Sequence, residues 1–262
     1  MRMFSYLSPG YPATMFEAFA EAIGAELHLE TGRSGPDPAD DPFADGRADV
    51  GWICSTSFVE LTSGPDPSVQ EVGVAWVPDD VGANGRPVYF SDVLVGSHGD
   101  AETLDDLAGS RIGCNDPASL SGFHSLRTEL DRRGHDPDGF ADLVMTGGHD
   151  RSIDRLLVGR LDAAVIDSVV LARRRRELGD PPGLRRIGRL GPWPTQPVVM
   201  RSDASADEVV AVRDALLAVN DDPLLTDLLA GAALARLTPT VPDHCDTVRT
   251  AMDRLAGAPR PC

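Results

Sequence analysis

A group of small polar residues follows the apolar run RIGC in the middle of the chain. The stretch reads NDPASLSGFHS, and just before a segment with helical spacing it places Ser119, Leu120, Ser121 and Gly122. The first N–H groups of a helix have no partner within the helix and carry a partial positive charge, so they can bind an anion. The same serines could instead only cap the helix through a side-chain oxygen. From these residues alone both interpretations stay open.

Two other polar groups follow apolar runs that are typical of buried strands. Ser55 and Thr56 come after ADVGWIC, and His149 comes after LVMTGG. Ligands of parallel α/β sheets gather at the carboxyl ends of the strands, where loops lead into helices. Serine hydroxyls add hydrogen-bond donors there, and an imidazole can donate a hydrogen bond or become cationic. A structural role for His149 remains the alternative to ligand binding.

The elements that would position these residues alternate between strands and helices. Short apolar runs such as LDAAVID alternate with segments of helical spacing such as SVVLARRRREL,. This alternation predicts an α/β fold with mostly parallel sheets. Residues 88–167 read as a self-contained β-α-β-α-β series, which indicates two lobes. We expect VQEVGVAWV to form one strand and Ser55, Thr56 and Ser57 to cap the helix that follows them.

Charge and composition exclude several classes of function. The chain has 262 residues, of which 41 are acidic and 24 basic, and its formal net charge is −17. Every basic residue is an arginine, so neither a Schiff base nor a Walker-type lysine is available,. An acidic chain repels phosphate backbones, and we therefore expect no nucleic-acid partner. We expect no cofactor and no metal, because the four cysteines are widely spaced and form no C-x-x-C pair,.

The sequence carries no predicted membrane-spanning segment. Its start, MRMFSYLSPGYP, lacks an apolar core of secretory length, and no apolar run approaches the length that crosses a bilayer,. These observations predict a cytoplasmic protein without membrane insertion. The alternative is an extracytoplasmic protein, if the chain is a processed mature form.

Five segments in sequence order resemble the phosphate/phosphonate-binding components of ABC transporters. They read YFSDVLVGS, ETLDDLAGSRIG, NDPASLSGFHSLRTELDRRG, TGGHDRSIDRLLVGRLDAAVIDSVVL and PTQPVVMRSD. The similarity covers residues 46–203. That family has the type 2 periplasmic-binding-protein fold, in which a ligand cleft lies between two lobes that each contain a mostly parallel sheet. The resemblance implies lobe one from residues 1–88 plus 197–262 and lobe two from residues 89–196.

The resemblance also implies roles for individual residues. The family's oxyanion contacts fall on Ser119, Ser121 and the amides after them, together with His149. Tyr89 matches an aromatic residue of the first hinge strand. Asp167 matches an acid that faces the ligand's ammonium group in aminophosphonate binders.

Two positions depart from the family's pattern. Leu120 stands where the family has the threonine of Ser-Thr-Ser-Gly, so one hydroxyl donor is missing. Gln196 stands where the family has an acidic residue before the second hinge proline. A charged hydrogen bond contributes roughly 1.5–3 kcal/mol, so the lost carboxylate weakens the case for an ammonium-bearing ligand.

These features favour a solute-binding protein that holds a small anionic molecule between hinged lobes. The ligand would be a phosphonate, a phosphate ester or a carboxylate, and the resemblance implies an ABC permease as partner. The alternative is a cytoplasmic biosynthetic enzyme on the same fold, a lyase or dehydratase with His149 or Asp167 as acid or base. The predicted ligand-binding residues are Ser55, Thr56, Tyr89, Ser119, Leu120, Ser121, Gly122, His149, Asp167 and Gln196.

Overall fold

Strands and helices alternate along a computed structural model that describes residues 1–8, 10–30, 40–97, 99–180 and 182–257. The strands are β1 (Arg2–Ser5), β2 (Glu26–Leu29), β3 (Val50–Trp52), β4 (Val69–Glu71), β5 (Val74–Pro78), β6 (Val88–Gly96), β7 (Arg111–Cys114), β8 (Asp142–Met145), β9 (Ala163–Asp167), β10 (Leu184–Pro194), β11 (Val198–Arg201) and β12 (Leu234–Pro239). The helices are α1 (Ala13–Ala22), α2 (Ser55–Thr62), α3 (Ser125–Arg132), α4 (His149–Leu157), α5 (Ser168–Leu178), α6 (Ala206–Ala218), α7 (Pro223–Gly231) and α8 (Asp246–Gly257). The end of the predicted first lobe, residues 258–262, lies outside the described residues.

The first sheet has the strand order β2-β1-β3-β11-β4. β1 is parallel to both β2 and β3, while β11 is antiparallel to both β3 and β4. Four of its five strands therefore run in one direction. The central β3 is buried along its whole length, as expected for a strand that is covered on both faces.

The second sheet has the strand order β10-β6-β9-β7-β8. β7 is parallel to β8 and β9, and β6 is antiparallel to β9 and β10. Here too four of five strands share one direction, which confirms the predicted α/β class with mostly parallel sheets. All five residues of β9 are buried. A further two-stranded sheet pairs β5 with β12.

The chain passes from the first sheet to the second and back. β4 belongs to the first sheet and β6, which begins at Val88, to the second. The return follows Pro194, where β10 ends, and reaches the first sheet at Val198 in β11. Gln196 therefore lies on the connection between the two sheets.

Two local predictions are wrong. VQEVGVAWV does not form one strand, because it divides into β4 and β5, which lie in different sheets. Gly73, with φ of 81°, lies at the division, and glycine adopts this left-handed conformation at little cost. Ser55, Thr56 and Ser57 do not cap α2, because the helix begins at Ser55 and Cys54 occupies the N-cap without a side-chain hydrogen bond.

Two strands were not predicted from the sequence. β10 reads LRRIGRLGPWP and pairs with β6 at the edge of the second sheet. Its arginines and glycines break the alternation of apolar and polar residues that predicts a strand. Such charged residues are nevertheless common on strands at the edge of a sheet. β12 reads LARLTP, and its residues also lack the regular alternation that predicts a strand.

Polar loops leave the carboxyl ends of the parallel strands and lead into helices. β3 is followed by α2, β8 by α4 and β9 by α5. β7 is followed by a five-residue π-helical turn, Leu120–His124, that continues directly into α3. These junctions carry most of the residues that the sequence singles out.

Candidate functional site

A cavity of about 300 Å³ lies between the loop after β1 and the loops after β7, β8 and β9. Small-molecule sites in proteins have volumes of about 300–1,000 Å³, so the cavity has the size of a metabolite site. Five of the predicted residues line it: Ser119, Ser121, His149, Asp167 and Gln196.

Ser119 occupies the N-cap of the π-helical turn. Its Oγ accepts a hydrogen bond from the Gly122 N–H at 3.2 Å, so the residue does cap its helix as the alternative interpretation requires. The hydroxyl hydrogen is not used by that bond and can be donated to a ligand. The side chain is 3% exposed and lines the cavity. Capping and anion binding are therefore compatible at this residue.

Ser121 and His149 form a pair across the cavity wall. Ser121 Oγ lies 3.2 Å from His149 Nε2. Burial lowers the pKa of His149 to about 4, so the imidazole is neutral at pH 7. A hydrogen bond to the Val165 backbone raises the pKa of His149, but less than burial lowers it. His149 thus contributes a neutral imidazole and not a positive charge.

Gly122 is required by packing directly behind the cavity wall. A Cβ at this position would overlap Asn115 Oδ1 and would lie 3.0 Å from His149 Cε1. Gly122 itself does not line the cavity, whereas Asn115 and His149 do. The missing side chain therefore lets these two residues approach each other.

The N-terminus of α4 forms part of the cavity wall. Gly147, Gly148 and the first helical residues line the cavity, and the first-turn N–H groups of a helix lack partners within it. Gly148 provides no side-chain cap. The one acidic side chain in this turn, Asp150, is paired with Arg173 at 2.7 Å and Arg174 at 3.2 Å. These ion pairs reduce the repulsion that Asp150 would exert on an anion.

Asp167 faces the cavity from the end of β9. Its Oδ1 accepts hydrogen bonds from Val169 N at 2.8 Å and Val170 N at 3.4 Å, so it caps α5. Burial raises the pKa of Asp167 to about 6. The hydrogen bonds from the helix N-terminus act in the opposite direction and keep the ionised form accessible at neutral pH,.

Gln196 is held in one orientation by two indole groups. Trp52 Nε1 donates to the Gln196 backbone carbonyl at 2.9 Å, and Trp76 Nε1 donates to Oε1 at 3.1 Å. An indole N–H can only donate, so the carboxamide must turn its oxygen to Trp76. Its Nε2 then faces Asp167 Oδ2 at 3.4 Å, and the Tyr11 hydroxyl reaches the same oxygen at 3.4 Å. Neutral donors therefore surround the buried carboxylate.

Most of the chain matches a known protein family. Residues 13–245 match the family described as ABC transporter, phosphonate, periplasmic substrate-binding protein. The chain belongs to this family. The predicted family resemblance is confirmed, and membership in a family of substrate-binding proteins supports the solute-binding function over the enzyme alternative. Such a protein is one component of an ABC transporter, which implies a permease as partner.

Several solved structures share the fold. A binding protein component of an ABC phosphonate transporter from Pseudomonas aeruginosa has a TM-score of 0.78 at 16% identity, covering 97% of this chain and 86% of that chain. PhnD1 from Prochlorococcus marinus, in complex with methylphosphonate, has a TM-score of 0.77 at 13% identity and covers 98% of each chain. XAC2383 from Xanthomonas citri, bound to ATP, has a TM-score of 0.74 at 14% identity, again with 98% of each chain covered. The predicted periplasmic-binding-protein fold is confirmed.

The other five predicted residues are not part of the cavity wall. Ser55 and Thr56 are fully buried, and Thr56 Oγ1 donates to the Ala118 carbonyl in the loop after β7. The neighbouring Cys54 lines the cavity in their place. The remaining three lie behind the wall: Tyr89, Leu120 and Gly122.

The cavity wall also contains residues that sequence reasoning missed. Tyr11 and Asn115 follow the ends of β1 and β7. The expectation that ligands gather at the carboxyl ends of strands could therefore have found them. Arg151 lies in the first turn of α4 and had no distinguishing signal among 24 arginines.

Within the described ranges, no helix is both long and apolar enough to cross a membrane.

Proposed function

We propose that this protein binds an organic phosphonate in the 300 Å³ cavity and delivers it to an ABC permease. The observation that carries the proposal is the convergence of Ser119, Ser121 and His149 on one cavity beside the open N-terminus of α4. Phosphonate oxygens accept hydrogen bonds, and this wall offers hydroxyl and main-chain donors beside a neutral imidazole.

The donors explain how an acidic chain can hold an anion. Oriented N–H groups at a helix start bring partial positive charge without a basic side chain. Three acidic side chains line the cavity: Asp116, Asp150 and Asp167. Asp150 is paired with Arg173 and Arg174, Asp116 accepts from Ala118 N, and Asp167 accepts from main-chain N–H groups, Gln196 and Tyr11. The exposed remainder of the net charge of −17 is screened by salt beyond about 8 Å at physiological ionic strength.

We further propose that the preferred phosphonate carries no ammonium group. Asp167 already receives hydrogen bonds from two main-chain N–H groups, from Gln196 and from Tyr11. A second acidic residue at position 196 would require a cation, whereas the carboxamide supplies a neutral donor. PhnD1 from Prochlorococcus marinus, whose structure holds methylphosphonate, provides an example of such a ligand in this fold.

The lobe boundaries and the location belong to the same proposal. Lobe one would comprise residues 1–88 and 197–262 and lobe two residues 89–196, with closure about the connections near Val88 and Gln196. The family is described as periplasmic, which supports the extracytoplasmic alternative rather than a cytoplasmic protein. Cell fractionation with antibody detection tests the location directly.

Titration calorimetry tests the proposal with methylphosphonate, ethylphosphonate and 2-aminoethylphosphonate, and with sulfate and succinate as controls. We expect binding of the alkylphosphonates, with weaker binding of the amino derivative. Ser121→Ala removes one donor to a charged group and should weaken methylphosphonate binding by about 1.5–3 kcal/mol, which is roughly 10- to 150-fold.

Ser125→Ala is the matched control. Ser125 is buried on the same helical segment and donates to the Ser121 carbonyl at 2.8 Å, but it does not line the cavity. Its substitution should leave affinity nearly unchanged. No measurable binding of any phosphonate would contradict the proposed function, and equal losses in both variants would contradict the assignment of Ser121.

A further inference from the structure

Arg151 is the one cationic side chain that the cavity wall contains among the described residues. It lies in the first turn of α4. Its guanidinium folds back over the glycine turn, because Nη1 lies 2.8 Å from the point where a Cβ of Gly147 would stand. Gly147 has a φ of 80°, and a side chain there would meet the guanidinium. The turn therefore leaves room for Arg151 at the cavity.

Arg151 has no acidic partner among the residues that the structure describes. Over the ranges that the structure covers, its guanidinium takes part in no ion pair or hydrogen bond. The adjacent carboxylate of Asp150 is held by Arg173 and Arg174 instead. A guanidinium presents a planar fork of N–H donors that matches a carboxylate. Arg151 is thus available to a ligand.

Arg151 and the phosphonate donors lie at different depths. Ser119 and Ser121 are each 3% exposed and His149 is 8% exposed, whereas Arg151 is exposed. A ligand that placed its phosphonate at the buried donors would extend its other end toward the opening. The cavity volume of about 300 Å³ leaves space for such an extension beyond a phosphonate head.

We infer that the ligand is a phosphonate with a second anionic group, a carboxylate on its carbon chain, and that Arg151 binds this second group at the cavity opening. The inference rests on the proposed function, because it assumes that the phosphonate occupies the buried donors. It adds the chemical class of the remainder of the ligand and a specificity-determining residue.

The test compares 3-phosphonopropanoate with n-propylphosphonate, which lacks the carboxylate, by titration calorimetry on the full chain. The wild-type protein should bind 3-phosphonopropanoate about 2- to 5-fold more tightly, as expected for an exposed ion pair. Arg151→Gln should remove this preference and leave the affinity for n-propylphosphonate unchanged. Arg155→Gln is the control, because it makes the same charge change on the same helix outside the cavity, and it should keep the preference.

Each other outcome overturns the inference. Equal affinity of the wild-type protein for the two compounds would show that the second group has no partner. An equal loss for both compounds in Arg151→Gln would place the guanidinium on the phosphonate itself. In these two cases the proposed function stands, since n-propylphosphonate still binds. Absence of binding by both compounds would refute the proposed function as well.

Discussion

Asp167→Asn should stabilise the ligand-free protein at neutral pH. Burial raises the pKa of Asp167 from its ordinary value of 3.8 to about 6. Between these values the native state binds a proton that the unfolded state has lost, so stability falls as the pH rises and stays low above pH 6. At pH 7.5 the raised pKa lowers the free energy of unfolding by about 3 kcal/mol.

The substitution recovers most of this free energy. Asparagine keeps the cap of α5, because its Oδ1 can still accept from Val169 N,. The amide group that replaces Oδ2 cannot accept from Gln196 or Tyr11, which costs about 1 kcal/mol,. We therefore expect a gain of about 2 kcal/mol at pH 7.5, and a loss of the gain at pH 4, where the wild-type carboxyl is protonated.

Urea unfolding at the two pH values, followed by tryptophan fluorescence, measures this difference. Asp222→Asn is the control, since Asp222 caps α7 from an exposed position by accepting from Leu224 N at 2.8 Å. Its effect should be small, because asparagine is as good an N-cap residue as aspartate. If Asp167→Asn lowered the free energy of unfolding equally at both pH values, the carboxylate would be a structural cap. The reasoning about its buried charge would then be refuted.

Two further predictions concern the cavity wall. Gly122→Ala forces its new Cβ onto the Asn115 carboxamide and should reduce stability in urea by about 1–3 kcal/mol. Gly231→Ala has no atom within 4 Å of the new Cβ and should change stability by less than about 1 kcal/mol; equal effects would refute the packing argument. Gln196→Glu places a second carboxylate beside Asp167 and should shift the calorimetric preference toward 2-aminoethylphosphonate over ethylphosphonate by about tenfold. An unchanged ratio would contradict the role of the carboxamide.

The sequence predicted the fold where patterns were periodic and local. Alternating apolar runs and helical spacing identified β9 and α5 together with the α/β class,. The division between β4 and β5 depends on which sheet each strand joins, and periodicity does not contain that information. β10 was missed because its pairing with β6 stabilises a strand whose own residues do not favour one,.

The candidate site was predictable where a residue follows a strand end. Ser119 and His149 were found in this way and line the cavity. Ser55 follows a strand end as well, yet α2 begins there and buries it completely. The orientation of Gln196 could not be predicted, because it is fixed by Trp76, which is 120 residues away in the chain.

The central claim is that hydroxyl groups and main-chain N–H groups hold the phosphonate, while no basic side chain is needed for its oxygens. A crystal structure of the protein with methylphosphonate tests this most directly. We predict phosphonate oxygens within about 3.2 Å of Ser119 Oγ, Ser121 Oγ and the first N–H groups of α4. Density for the phosphonate that contacts only arginine side chains, or that lies outside this cavity, would contradict the account.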